Sequence, residues 1–436
     1  MRLRLKATHV VLGMLCVMYF ITYVDRVNIG TAASEIQKEL HLSNTQLGLV
    51  FSAFAYPYLL FQVIGGWVGD RFGARKTLFW CGLIWAASTI MTGFVTSLFT
   101  LFIARVALGF GEGATFPTAT RAMQYWTPAG QRGFAQGLTH AFARLGNAIT
   151  PPLIAVLMAW LTWRGSFILL GIVSLLWGLV WVSYFRNDPK DHPSITPEEL
   201  ATLPERSSSA TKPQVPWGPL LQRMWPVTLT YFCYGWSLWL YLNWLPLFFK
   251  NNYQLDIKNS ALFASGVFFA GVVGDSLGGI LSDGIFKRTG NVRFARLSVI
   301  VTGFTGALLS LAPIFFIHDI TVVALCLSSG FFFIEIIIGP IWSVPMDIAP
   351  KYSGTASGLM NTGSAFAAIV SPLVAGYVID VTGNWYLPFI MSIGLLLLGG
   401  LCAFMMHPET PFEEASGVDL TFAPQLTAGP KANVKS

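Results

Sequence analysis

Apolar runs of about twenty residues recur along the whole chain, and each is long enough to cross a hydrocarbon layer of ~30 Å. They fall near residues 9–36, 45–69, 75–95, 98–124, 131–160, 165–186, 224–249, 259–284, 295–316, 319–346, 353–379 and 385–406. The chain is 54% hydrophobic and 11% charged over 436 residues, against ~25% charged in ordinary soluble domains. That balance excludes a soluble fold. In lipid the backbone must satisfy its own hydrogen bonds, which leaves helices or closed barrels, and barrel strands read as short alternating segments. The expectation is an all-α membrane protein with twelve transmembrane helices.

Lysine and arginine give the orientation. With an even number of spans both ends share a side, and the loops of that side carry about twenty basic residues, against four (Lys38, Arg164, Lys250, Lys258) on the other. Both termini are therefore expected in the cytoplasm, in a multi-pass protein of the inner membrane. The net charge of +6 is this bias and not a nucleic-acid surface. The N-terminal Met1-Arg2-Leu3-Arg4-Leu5-Lys6 imitates a secretory signal, but the apolar run behind it is too long and contains Asp25-Arg26. It reads as a retained first helix. The five cysteines (Cys16, Cys81, Cys233, Cys326, Cys402) sit in apolar runs without metal-ligand spacing, so packed free thiols are expected and no metal site.

The chain repeats itself. Gly66 precedes Asp70 by four residues at the end of the second span, and Gly279 precedes Asp283 by four at the end of the eighth. Glu112 precedes Pro117 by five in the fourth span, and Glu335 precedes Pro340 by five in the tenth. Gly137-Leu138 precedes Pro151 as Gly358-Leu359 precedes Pro372. Three matches in one order argue for two related six-helix halves, with a site near the midplane between them. The expected organisation is an N-terminal bundle over 1–186, a cytoplasmic linker over 187–223, a C-terminal bundle over 224–407 and a disordered cytoplasmic tail over 408–436. Within the linker, Thr196-Pro197-Glu198-Glu199 reads as a capping box opening a short surface helix.

The turn from Gly65 to Lys76 resembles the signature of the major facilitator superfamily. Tyr23-Val24-Asp25-Arg26, with Arg105 and Glu112-Gly113-Ala114-Thr115-Phe116-Pro117, and with Trp342 and Gly358-Leu359-Met360-Asn361, resembles its anion:cation symporter family. The resemblance covers all twelve spans. It implies proton-driven import of acids such as hexuronate, galactonate or glucarate. It also implies a proton role for Glu112 and a substrate contact for Tyr58. Ala143 departs from the glutamine of galactonate-type members, and no arginine stands in the seventh span as it does in vesicular glutamate-type relatives.

Asp25, Arg26, Arg105, Glu112, Arg144, Asp275 and Glu335 all fall inside spans. Seven unpaired charges would cost roughly 17–25 kcal/mol on insertion scales, so they must pair or line a wet path. Arg26 is the first candidate for a substrate carboxylate, because a guanidinium grips a carboxylate bidentately. Tyr23, Tyr58, His140, Arg144, Trp342 and Asn361 complete the candidate substrate site. Asp25, Glu112, Arg105 and Glu335 are the candidate proton-coupling set, with Arg105 and Glu112 seven apart on one helix face. Glu335 is also a candidate lock between halves, and Asp275 a candidate inner-gate residue. Trp239 and Asn243 form a weaker pair. Asp70, Arg71 and Asp283 are expected at a cytoplasmic gate.

The function expected is proton-coupled import of an organic anion, most simply a sugar acid, by rocking of the two halves. The proton gradient drives it without a cofactor, and the partners are the anion, protons and the bilayer around a monomer. A drug/proton antiporter shares the helix 2–3 turn, but three buried arginines suit anions. No His-Glu-x-x-His, Gly-x-Ser-x-Gly or phosphate-cradling loop is present, which removes the common membrane-enzyme chemistries.

Overall fold

Three of the helix breaks in this protein fall just ahead of a proline. The computed structural model describes residues 6–128, 132–203, 216–349 and 353–410, with some side chains inside those ranges left out, Asp70 among them. The second pass is α2 (Asn44–Ala53) followed by α3 (Ala55–Phe72), the fourth is α5 (Leu98–Gly113) followed by α6 (Thr115–Trp126), and the tenth is α12 (Ile320–Ile336) followed by α13 (Ile338–Ile348). The three interruptions fall at Phe54, Ala114 and Ile337, each three residues before a proline: Pro57, Pro117 and Pro340. A proline has no N–H for the carbonyl four residues back and its ring clashes with that carbonyl, so the ladder fails just ahead of it. The tenth helix therefore breaks at Ile337, two residues before Gly339-Pro340.

The other passes are α1 (Ala7–Leu40), α4 (Ala74–Thr92), α9 (Trp217–Asn252), α10 (Ile257–Thr289), α11 (Val292–Leu311), α14 (Ser353–Thr382) and α15 (Leu387–Ala403). The tract α7 (Arg132–Tyr184) holds two passes, because it turns back at Thr162, whose φ of 62° and ψ of 171° are not helical. That makes twelve passes among the described residues, with no strand. Among the described residues, seven helices are long and apolar enough to span a membrane by length and hydropathy alone. The short helix α8 (Pro197–Thr202) opens with a reciprocal cap between Thr196 and Glu199. Residues 204–215 of the linker and 411–436 of the tail lie outside the described residues.

The two halves repeat one packing plan: α1 lies on α7 as α9 lies on α14. Gly73 joins α3 to α4 at a φ of 80°, a region open to glycine, and the Asn187 side chain fills the space a Cβ would need. Across the halves, the face opposite the chain ends is sewn shut. Asp380 at the end of α14 caps the N-terminus of α2, accepting from the backbone N–H of Asn44 at 3.0 Å and of Thr45 at 2.6 Å. Lys250 of α9 donates to Ser34 at 2.7 Å and pairs with Glu35 at 3.2 Å, both on α1. Gly48 lets α2 lie directly on α14, since a Cβ there would fall 2.5 Å from the Pro372 carbonyl oxygen. Toward the face of the chain ends, a crevice of about 640 Å³ separates Leu59 of α3 from Leu221, Thr228 and Phe232 of α9 and Thr362 and Phe366 of α14.

Candidate functional site

The break at Ala114 leaves Glu112 in the last turn of α5, fully buried, where it meets α1. Arg26 of α1 donates from Nε to Glu112 Oε2 at 2.7 Å, and the arginine is itself only 4% exposed. Four rings surround it, with centres at 4.9 Å (Tyr23), 5.1 Å (Phe54), 4.8 Å (Tyr58) and 5.0 Å (Phe116). Aromatic faces attract a cation and hold it without neutralising it. Nη2 of Arg26 and Oε1 of Glu112 are buried and have no hydrogen-bond partner. A buried ion pair with unfilled donor and acceptor positions is costly for stability and suited to exchanging partners.

Asp25 and Arg26 are neighbours in sequence but do not pair with each other. Asp25 accepts from Ser174 at 3.2 Å and from Asn28 at 3.5 Å, while Arg105 reaches the Asp25 backbone carbonyl at 3.5 Å and lies over Phe54 at 5.5 Å. Nor do Arg105 and Glu112 form a strut along their shared helix face, because the Glu112 carboxylate turns to Arg26. Consecutive helical residues point about 100° apart, so each charge finds a partner on a different neighbouring helix.

A second cluster lies where the halves meet. Arg144 of α7 donates from Nε to Asp275 of α10 at 3.0 Å, and its Nη2 lies 3.2 Å from Glu335 of α12, close enough for an ion pair although the angle falls short of a hydrogen bond. Tyr234 of α9 donates to the other Glu335 oxygen at 3.3 Å. Tyr234 stacks on Tyr231 at 5.0 Å, and Trp342 Nε1 donates to the Tyr231 hydroxyl at 3.0 Å. His140 packs edge-on against Tyr19 at 5.6 Å and lies 6.3 Å from Trp342. Tyr23 links the clusters, because Arg144 also lies over its ring, at 5.9 Å.

The structure thus brings together Tyr23, Asp25, Arg26, Tyr58, Arg105 and Glu112 in one cluster, and His140, Arg144, Asp275, Glu335 and Trp342 in the adjoining one. Asn361 stands half-buried on α14, beside the crevice-lining Leu359 and Thr362. Trp239 and Asn243 are packing residues: Trp239 donates to Ser364 at 3.3 Å, and Asn243 to the Trp239 carbonyl at 2.8 Å. Of the gate candidates, Asp283 pairs with Arg296 at 2.9 Å inside its own half, Arg71 is exposed at the end of α3, and the Asp70 side chain lies outside the described residues. Phe54, Phe116, Tyr231, Tyr234 and Ser174 were missed from sequence. Phe116 could have been found, since it stands inside the Glu112–Pro117 motif, and the rest look like ordinary apolar-run residues. Among the described residues no group of His, Cys, Asp and Glu could hold a metal ion.

The family model described as Major Facilitator Superfamily matches residues 15–371. The chain is 50% identical over 425 residues to the probable sulfoacetate transporter of Cupriavidus necator, covering 96% of this chain and 99% of that protein. It is 30% identical over 411 residues to a probable galactarate/D-glucarate transporter of Escherichia coli, covering 88% and 89% of the two. A solved bacterial homologue of the human lysosomal transporter Spinster, inward-facing and occupied, superposes with a TM-score of 0.77 at 16% identity, over 93% of this chain and 99% of that one.

Proposed function

The chain belongs to the Major Facilitator Superfamily, and from that premise we propose that it imports a small organic anion together with protons, by alternating access between its two halves. It is a multi-pass membrane transporter and not an enzyme, and its curated relatives carry small organic anions. The observation that carries the proposal is the Arg26–Glu112 pair, 2.7 Å long, buried at mid-span and left with an unfilled donor and an unfilled acceptor. An incoming anionic group competes with Glu112 for Arg26. A carboxylate displaced from its guanidinium in a buried site is strongly disfavoured as an ion. Anion entry and proton uptake then favour each other, which is symport. Asp25 and Arg105 lie close enough to set the balance of that exchange.

Sulfoacetate is the first substrate to test, because the relative named for it is 50% identical along nearly its whole length. A sugar acid is the second, because a relative named for galactarate and glucarate is 30% identical and His140 and Asn361 offer partners for hydroxyls. We further propose an inner-membrane location with the chain ends in the cytoplasm, on the lysine and arginine bias, and a monomer. The closed face would then be the outer one.

The test is uptake into vesicles under an imposed pH gradient, inside alkaline. Accumulation of labelled sulfoacetate, or of galactarate, above its equilibrium level and abolished by an uncoupler is the expected result. Uptake indifferent to the gradient overturns the coupling. Expulsion of organic cations with no anion uptake overturns the substrate class in favour of an antiporter.

A further inference from the structure

We infer that Arg144 is a second anion anchor, so that the site carries dianions: two anionic groups on a short spacer. The inference rests on the organic-anion reading and deepens it. Arg26 and Arg144 both lie against the ring of Tyr23, at 4.9 and 5.9 Å, so their guanidinium carbons are no further apart than those two distances together. Both are buried, at 4% and 5% exposure, and each keeps a terminal nitrogen with no hydrogen-bond partner, Nη2 on Arg26 and Nη1 on Arg144. A guanidinium has five N–H donors in a rigid fork; Arg26 directs one to Glu112 and Arg144 one to Asp275.

What separates the two anchors is the origin of their carboxylates. Arg26 is held by Glu112, which belongs to its own half. Arg144 is held by Asp275 and Glu335, which belong to the opposite half. A ligand with one charge can take Arg26 and leave the cross-half pairs of Arg144 standing. A ligand with two charges reaches Arg144 as well, takes the place of Glu335 or Asp275, and so loosens the tie that holds the halves together at mid-span. Charge number then governs transport more than binding. The groups facing Glu335 in this exchange are Arg144 from α7, Asp275 from α10 and the Tyr234 hydroxyl from α9, with Tyr231 and His140 adjoining. The galactarate/glucarate relative is named for dicarboxylates and the sulfoacetate relative for a sulfonate-carboxylate, both dianions in water.

The experiment compares sulfoacetate with methylsulfonylacetate, which has nearly the same shape and one charge fewer, on purified and reconstituted protein. For wild type, the monoanion is expected to compete for binding within about tenfold of sulfoacetate, yet to be taken up about a hundredfold more slowly. Arg144→Gln is expected to weaken sulfoacetate by about tenfold, near the lower end for a lost charged hydrogen bond, and the monoanion by much less, so that the two ligands bind nearly alike. Arg144→Lys keeps the charge and is expected to recover part of the loss, and a cooperative thermal unfolding transition in detergent shows that either variant is folded. Equal uptake of the two ligands by wild type overturns the inference and leaves the organic-anion reading intact. So does sulfoacetate affinity that survives both Arg144 variants. Wild type that takes up neither ligand, or Arg26→Lys that binds both as wild type does, overturns the underlying reading and this one with it. The wild-type comparison needs no variant, so a variant that fails to fold does not remove the test.

Discussion

Glu112 and Glu335 stand at equivalent points of the two halves. Each lies two residues before a helix break, at Ala114 and Ile337, and five before a proline, and each is fully buried beside an arginine. The partner is 2.7 Å away for Glu112 and 3.2 Å away for Glu335. The repeat has thus placed one carboxylate in each half beside the interruption of a broken helix. The difference lies in reach: Glu112 holds an arginine of its own half and Glu335 holds one across the seam.

Glu112→Gln is expected to separate coupling from exchange. The amide oxygen still accepts from Arg26 but cannot carry a proton. Accumulation driven by a pH gradient should fall about a hundredfold, the scale of a lost proton-transfer group. Counterflow exchange of labelled against unlabelled anion should survive within about tenfold. Equal loss of both activities would make Glu112 a structural partner of Arg26 and nothing more.

Asp380 is expected to act as a latch on the face away from the chain ends. Its carboxylate accepts from Asn44 and Thr45 of α2 through both backbone and side-chain donors, at 2.5 to 3.0 Å. Loss of a helix cap costs about 0.5–2 kcal/mol, and here the whole cost falls on one conformation. Ser52 lies deeper along the same seam, its hydroxyl on the Ile369 carbonyl at 2.5 Å. A thiol placed there by Ser52→Cys should react with an impermeant maleimide about threefold to thirtyfold faster when Asp380→Ala is added. An unchanged rate would show that the glycine contacts close this face without the latch.

Much of the fold could be read from the amino acids, because lipid allows so few solutions. Runs of twenty apolar residues required helices, and the spacing of Glu112 to Pro117 and Glu335 to Pro340 betrayed the repeat. The charges inside the spans could be named but not paired. Asp25 and Arg26 stand side by side in the chain yet turn to different helices, and the partner of Arg26 is 86 residues away. Periodicity places a residue on a face but does not say which helix that face meets. The aromatic cage was hidden for another reason: in a chain with 34 phenylalanines, Phe54 carries no local mark that separates it from a lipid-facing ring. Asp380 was overlooked because a charge at a span end is ordinary, and its value lies in the α2 terminus it meets.

The cage around Arg26 predicts a graded response. Arg26→Lys preserves the charge toward Glu112 but loses the planar fork and much of the stacking. Anion affinity should fall about tenfold or more while thermal stability stays near that of the parent. Arg26→Ala leaves Glu112 buried without its partner, which costs about 3–5 kcal/mol, so both binding and stability should fall. Tyr58→Leu removes one of four rings and should weaken binding by roughly tenfold or more, in line with about 2 kcal/mol for a desolvated cation–ring contact. Tyr58→Phe keeps the ring and should keep the affinity. Thermal shifts with and without sulfoacetate read all four.

The linker gives a prediction that does not depend on transport. Glu199 of α8 is buried outside the spans, and its carboxylate accepts from the backbone N–H of Thr8 at 3.3 Å, the Thr8 hydroxyl at 3.1 Å and the backbone N–H of Thr196 at 3.3 Å. Burial pushes its pKa up, but the hydrogen bonds from Thr8 and Thr196 outweigh burial and hold it below the ordinary value of 4.5. A carboxyl depressed in the folded state contributes stability that is complete above its unfolded value and is lost as pH falls through the folded one. Glu199→Gln should therefore destabilise the protein by about 0.5–2 kcal/mol near neutral pH, as expected for a lost cap. The gap between variant and parent should close as pH falls from the ordinary value of 4.5 through the depressed folded one. Thermal unfolding in detergent across that range measures it, and a gap that stays constant with pH would show that the Glu199 charge plays no part in tying α8 to the start of α1.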